Sequence, residues 1–224
     1  MTPQAIFFGA IGTLTETSDL QRRAFNMAFQ DAGLDWVWDQ QTYFKLLHKP
    51  GGQARIARYA EEMGVDVDAS ALHRAKVSYF AELAGTEGLL PRPGVSETIA
   101  AARSAGIPIG FVTTTGADTV SLIFSGLSPH ILRSDFSYIG ARDKVNAPKP
   151  ASDIYHHALQ HFDIRPTQAI AIEDTPESAE AAVSAGIQCI AFPGQAAKGR
   201  AFPDTCEKFN VLKPDLFGLT AKAA

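Results

Sequence analysis

The segment Ala5-Ile6-Phe7-Phe8 is an uninterrupted apolar run that gives way at once to Gly9-Ala10-Ile11-Gly12-Thr13. So short a run, bounded by glycines, reads as a buried strand entering a tight loop, and a parallel sheet is the natural home for such a strand. The next stretch has a different character. Ser18 can cap a helix running to about Asp31 with Gly33 as its stop, and Asp39 can cap another ending near Lys49-Pro50. Two further helices are expected from about Gln53 to Met63 before Gly64, and from about Ala69 to Leu83 before Gly85. Four helices without an intervening strand predict a helical insert.

From Pro93-Gly94 onward strands and helices alternate. A helix from Val95 to Ser104 precedes a strand at Ile107 to Val112, and a helix from Ala117 to Phe124 precedes a strand at Phe136 to Ile139. A helix at Ser152 to Phe162, a strand at Ala169 to Ile172, a helix opened by Thr175-Pro176 and a strand around Cys189 to Phe192 complete the rhythm. The tail is expected to form a strand at Asn210 to Leu212 and a last helix within Phe202 to Ala224. The sum is an α/β chain: a doubly wound, mostly parallel sheet formed by residues 1–15 and 89–224, with a four-helix cap domain inserted at 16–88. Ligands of such sheets bind beyond the carboxyl ends of the strands.

Composition narrows the function classes. With 20 basic and 24 acidic residues, a net charge of -4 and no long basic block, the 224-residue chain offers little to nucleic acid or an anionic membrane surface. No stretch approaches the length of a membrane span, and Met1 to Phe8 lacks the pattern of a signal peptide. Cys189 and Cys206 form neither a disulfide framework nor a zinc spacing, so a reduced, cytoplasmic setting is expected.

Four strand ends carry a resemblance. Phe8-Gly9-Ala10-Ile11-Gly12-Thr13-Leu14, Val112-Thr113-Thr114-Thr115, Lys149-Pro150-Ala151-Ser152-Asp153-Ile154-Tyr155, and Ile172-Glu173-Asp174 with Ala181-Ala182 and Ala185-Gly186 resemble, in order, the four motifs of the haloacid dehalogenase superfamily. The inserted helices are similar to the cap of its β-phosphoglucomutase and phosphoglycolate phosphatase branch. Thr15-Glu16-Thr17, Arg22-Arg23-Ala24-Phe25-Asn26, Gly51-Gly52 with Arg55-Ile56-Ala57-Arg58, and the triple threonine resemble the CbbY-type sugar-bisphosphate phosphatases.

The resemblance implies a Mg-dependent phosphatase or phosphomutase, and the chain departs from it at the chemical centre. The family's first motif supplies two aspartates: one attacks the phosphoryl group and binds the metal, and the other exchanges the proton with the leaving or entering oxygen. Gly9 and Ile11 stand at those positions, so no catalytic residue of the motif is intact. Glu16 is the nearest carboxylate in sequence and is expected to lie too far away to replace either.

The rest of the pattern is better kept. Thr113 with the backbone around Thr114, and Lys149, are expected to take a phosphate; finishing a strand, or a solvated surface, is the plainer role for each. Glu173 and Asp174 would be the remnant of the magnesium shell, weak or lost, so no cofactor is predicted; charge at a helix N-terminus is their plainer role. Two carboxylates, one lysine and no metal leave the inner site at -1, the same as the family's four acids, lysine and Mg²⁺, and an ion pair between Asp174 and Lys149 is expected. In the cap, Glu16, Gln21 (where the family has histidine), Gly51, Gly52 and Arg55 match substrate-contacting positions, with Lys49 able to replace a missing lysine. His157 and His161 read as a solvated helix face, and Trp36 and Trp38 as cap packing. The expected ligand is a small phosphorylated molecule such as a sugar phosphate. A pseudophosphatase is the leading reading, with a hydrolase using Glu173, Asp174 or Glu16, or a structural protein partner, as alternatives.

Overall fold

The computed structural model describes residues 2–9, 11–49 and 51–219. The chain separates into two compact units, Met1–Glu16 with Leu89–Ala224, and Thr17–Gly88. The first is built on one parallel sheet of order β3-β2-β1-β4-β5-β6, formed by β1 (Ala5–Phe8), β2 (Ile109–Val112), β3 (Tyr138–Gly140), β4 (Ala169–Glu173), β5 (Gln188–Ala191) and β6 (Glu207–Lys208). Phe8 is flanked in register by Phe111 of β2 and Ile172 of β4. All four residues of β1 are buried, because helices cover both faces of a parallel sheet, and this is why its sequence shows no polar alternation. Strand order reverses beside β1, so the ends of β1 and β4 border the crevice where this architecture holds ligands.

A single turn, α1 (Ile11–Leu14), follows β1; α6 (Val95–Ser104), α7 (Ala117–Leu127), α8 (Asp153–Phe162) and α9 (Pro176–Ser184) connect the later strands. One core cluster joins Phe7, Tyr155, Ala171 and Cys189, and Ala179, Ala181, Ala182 and Ala185 let α9 lie close to the sheet. Each large side chain buried there contributes about 1.5–3 kcal/mol. Pro176 opens α9 and the Thr175 hydroxyl accepts from the Ser178 N–H, satisfying one orphan donor of the first turn.

The second unit comprises α2 (Ser18–Asp31), α3 (Gln40–Leu46), α4 (Gly52–Met63) and α5 (Ala69–Glu87). Its core gathers Phe25, Phe29, Trp36, Trp38, Tyr43 and Ile56. The Trp38 ring lies 4.8 Å from Phe25 and 4.7 Å from Phe29, and Asn26 pins the Trp38 backbone through both its N–H and its carbonyl.

Several boundaries differ from expectation. Helix α5 passes through Gly85 and stops at Gly88, whose φ of 71° suits glycine. A mid-helix glycine costs only about 1 kcal/mol, which burial of Phe80 and Ala84 outweighs. Helix α3 ends at Leu46, short of Lys49, and Pro50 lies outside the described residues. The N-cap position of α2 is Thr17, not Ser18. In the tail the strand is Glu207–Lys208, paired with Ile190 and Ala191, while the Leu212 N–H bonds the Pro93 carbonyl outside any ladder. The last helix is one 3-10 turn, Pro214–Phe217, anchored by buried Phe217, and residues 220–224 lie outside the described residues.

Candidate functional site

Gly9 leaves β1 with its N–H bonded to the Ile172 carbonyl, so the first loop is laced to the end of β4. The two acids that follow Ile172 fold back over this loop. A β-carbon on residue 9 would lie 2.1 Å from Cδ of Glu173, and one on residue 12 would lie 2.0 Å from Oδ2 of Asp174. Two glycines thus give two carboxylates their room. Ile11 opens α1 and is half-buried.

Glu173 is fully buried, and its Oε1 accepts from Lys149 Nζ at 2.5 Å and from the Tyr155 hydroxyl. Lys149 also donates to the Val112 carbonyl at 2.7 Å and lies 4.9 Å from the Tyr155 ring centre. Burial first, and the charge of Glu173 next, hold the Tyr155 phenol well above its ordinary range, so it remains a donor. The partner of Lys149 is therefore Glu173 and not Asp174, a correction to the sequence expectation: Asp174 leans over Gly12 and faces Arg92. Burial, then the neighbouring Glu173 charge, push the Asp174 carboxyl up to about 7. Glu173 Oε2 and Asp174 Oδ1 are buried without a hydrogen-bond partner.

Thr113 is buried at the end of β2; its Oγ1 accepts from the Thr115 N–H at 3.2 Å and donates to Thr115 Oγ1 at 3.1 Å. The hydroxyl expected to meet a phosphate thus closes the turn that leads into α7. Thr114 is half-buried on the same turn.

Sequence reasoning missed Arg92. Its guanidinium is buried, donates at 2.8 Å to the carbonyls of Gly12, Phe192 and Pro193, and lies 3.5 Å from the Phe192 ring centre. Glu16 falls in the first unit, where its Oε1 accepts from the Gln195 N–H at 2.8 Å and stands 3.7 Å from Arg92 Nε. Both Glu16 and Asp174 would border a β-carbon on Gly194, at 3.2 and 3.5 Å. The inner site therefore contains Glu16, Glu173, Asp174, Lys149 and Arg92, three acids and two bases, and its formal charge is still -1. No local motif announces Arg92, because its carbonyl partners lie 80 to 101 residues away along the chain.

The donor set does not fit a magnesium site. The ion prefers carboxylate oxygens in near-ideal octahedral geometry. Residue 9 brings no carboxylate, and Glu173 is held by an ammonium and a phenol. Among the described residues no three potential ligand side chains cluster anywhere, His157 and His161 included.

The second unit holds a cluster of its own. Arg55 is buried, donates to the carbonyls of Leu46 at 3.1 Å and Lys49 at 3.3 Å, and packs against the Phe25 and Tyr43 rings. Lys76, also buried, donates to Gln21 Oε1 and lies over Phe25 and Phe80. Burial first, then Arg55, bring the Lys76 ammonium down to about 7, and burial followed by Lys76 and Arg55 lowers the His73 imidazole. Gly51, with φ of 92°, and Gly52 start α4; a β-carbon on Gly52 would strike His73 Nε2 at 2.6 Å. Lys49 is exposed.

Known proteins share this frame. The family model for haloacid dehalogenase-like hydrolases matches residues 3–186. Protein CbbY of Cereibacter sphaeroides is 40% identical over 194 residues, 85% of this chain and 84% of that protein. Protein CbbY of Rhodobacter capsulatus is 34% identical over 207 residues, 90% of each. The crystal structures of CbbY from Rhodobacter sphaeroides, one with phosphate and one of a mutant with xylulose-(1,5)bisphosphate, superimpose with TM-scores of 0.85 at 37% identity, covering 93% of this chain and 94% of theirs.

Proposed function

Because the chain belongs to the haloacid dehalogenase-like hydrolases and, within them, to the CbbY proteins, we propose that it is a sugar-phosphate-binding member of the family that has lost the aspartate-based phosphatase chemistry. The observation that carries this reading is the pairing of Gly9 with Glu173: no side chain at residue 9 can attack phosphorus, and the space for one is filled by a carboxylate already held by Lys149 and Tyr155. Ile11 offers no proton to a leaving oxygen. The related CbbY that holds xylulose-(1,5)bisphosphate, and phosphate in a second structure, supports a phosphorylated sugar as the ligand class. A phosphate entering the core unit would take Lys149 from Glu173 and the Thr113 hydroxyl from Thr115. Arg55 and Lys76 supply positive charge in the helical unit. We place the protein in the cytoplasm on its two free thiols; no helix among the described residues is long and apolar enough to cross a membrane.

The test is phosphate release from a panel of sugar mono- and bisphosphates, with Mg²⁺ and with chelator, comparing the natural chain with the Gly9→Asp, Ile11→Asp double variant. No turnover is expected from the natural chain; the double variant must first displace the Glu173 carboxylate from the space beside residue 9, and where it turns over, its best substrate identifies the ligand class of the natural chain. Turnover of the natural chain at about 1 per second or faster overturns the proposal.

One observation favours a second reading. Asp174, with a carboxyl pushed up to about 7 and Oδ1 free of a hydrogen bond, is tuned like a general base for direct attack by water. If the natural chain turns over and Asp174→Asn abolishes it, that reading replaces the first.

A further inference from the structure

The chain has two cysteines, and the sheet brings them together. Cys189 lies in β5, and Cys206 immediately precedes the two-residue edge strand β6. The ladder pairs Ile190 with Glu207 and Ala191 with Lys208, so one step back along the same register Cys189 stands opposite Cys206. Neighbours in a parallel register project their side chains from the same face, so the two thiols lie side by side, while Cys189 Sγ itself donates to the Ile190 carbonyl at 3.7 Å. Both are buried in the core cluster that contains Tyr155 and Ala171, with Cys206 at 9% exposure against 3% for Cys189. The spacing of adjacent strands falls within the range of Cα separations that a disulfide accepts.

We propose that Cys189 and Cys206 form a redox-active dithiol that closes to an intramolecular disulfide when the protein meets hydrogen peroxide. The Cys206 sulfur attacks one peroxide oxygen, the O–O bond breaks, and water leaves, giving a sulfenic acid on Cys206. The Cys189 sulfur then attacks that sulfur, the S–O bond breaks, and a second water leaves with the Cys189 proton. Two thiols lose two electrons and two protons, and one peroxide becomes two waters. The order of events follows the surroundings. Cys206 is the more exposed and immediately precedes an edge strand with one neighbour, and the adjacent Cys189 thiol lowers it; the Cys206 thiol and then burial push the Cys189 thiol up, which suits it to wait as the resolving partner.

The bridge would also reach the candidate site. Cys189 pairs with Ala171 in the β4–β5 ladder, on the same sheet face as Glu173 two residues on, and the charge of Glu173 acts on both thiols. Tying β5 to β6 would fix the sheet beside the Glu173–Lys149–Tyr155 cluster. This inference does not depend on what the site binds.

The experiment is to titrate the full chain with hydrogen peroxide while following intact mass, thiols counted in denaturant, and a peptide map. The expected result is a monomer lighter by two hydrogens, no countable thiol, a linked peptide pair containing residues 189 and 206, and full recovery with dithiothreitol. Cys189→Ser is expected to accumulate an oxygen adduct on Cys206 that dimedone captures. A natural chain that gains oxygen while its two cysteines stay unlinked, that cross-links only between copies, or that resists peroxide which the denatured chain consumes overturns the proposal. Those outcomes are read on the natural chain alone, so a poorly folded variant does not obscure them.

Discussion

The carboxylate of Glu173 occupies the space that any side chain on residue 9 would require, with Cδ and Oε2 each 2.1 Å from the position of a β-carbon there. Glu173 cannot withdraw freely, because it is fully buried and Lys149 and Tyr155 hold it. Gly9→Ala is therefore expected to destabilise the protein by about 1–3 kcal/mol, as overpacking does in a closed core. Combining it with Glu173→Ala should cost less than the sum of the two single changes. Denaturant unfolding of the four proteins in a double-mutant cycle reads the coupling, and strict additivity would show that the two residues do not compete for space.

Asp174 sets a pH dependence. Its folded carboxyl, pushed up to about 7, lies above the ordinary carboxylate range, so between about pH 4 and pH 7 the native state binds the proton that the unfolded chain releases. Stability from this residue falls as pH rises through that window. Asp174→Asn should flatten the fall and leave the protein more stable than the natural chain at pH 8, as thermal or urea unfolding against pH would show.

Lys76 gives the opposite slope in the helical unit. Its ammonium, brought down to about 7, is charged against the pull of burial below that pH, so stability from this residue rises from about pH 7 toward pH 10. Lys76→Met is expected to stabilise the protein most at pH 6 and to lose its advantage as pH increases. An advantage that grows with pH would contradict the assignment.

Arg92 holds three carbonyls that no other side chain replaces in the described contacts. Arg92→Met should cost about 3 kcal/mol or more, because buried acceptors are left unpaired. Breaking the exposed Arg23–Glu87 pair with Arg23→Met should cost at most about 1 kcal/mol. Comparable losses from the two changes would remove the distinction drawn between them.

Local order was legible in the chain because it depends on nearby residues. The unbroken apolar run at Ala5–Phe8, the Thr175-Pro176 opening of α9 and the alternation after Pro93 place strands and helices from propensity and periodicity alone. Four motifs at strand ends, in order, gave the fold and family, and the same residues told that residue 9 has no nucleophile. The boundaries that went astray were those a neighbour decides: Gly85 stays helical because the helix buries Phe80 and Ala84, and Glu207–Lys208 becomes a strand because β5 offers an open edge. Tertiary structure alone decided the partners. Which acid Lys149 holds, that Arg92 gathers Gly12 with Phe192 and Pro193, and that two cysteines 17 positions apart meet across a ladder all follow from sheet order and register. Charge and hydrogen bonding act through distance in space, and a linear sequence encodes that distance only once the strands have chosen their neighbours.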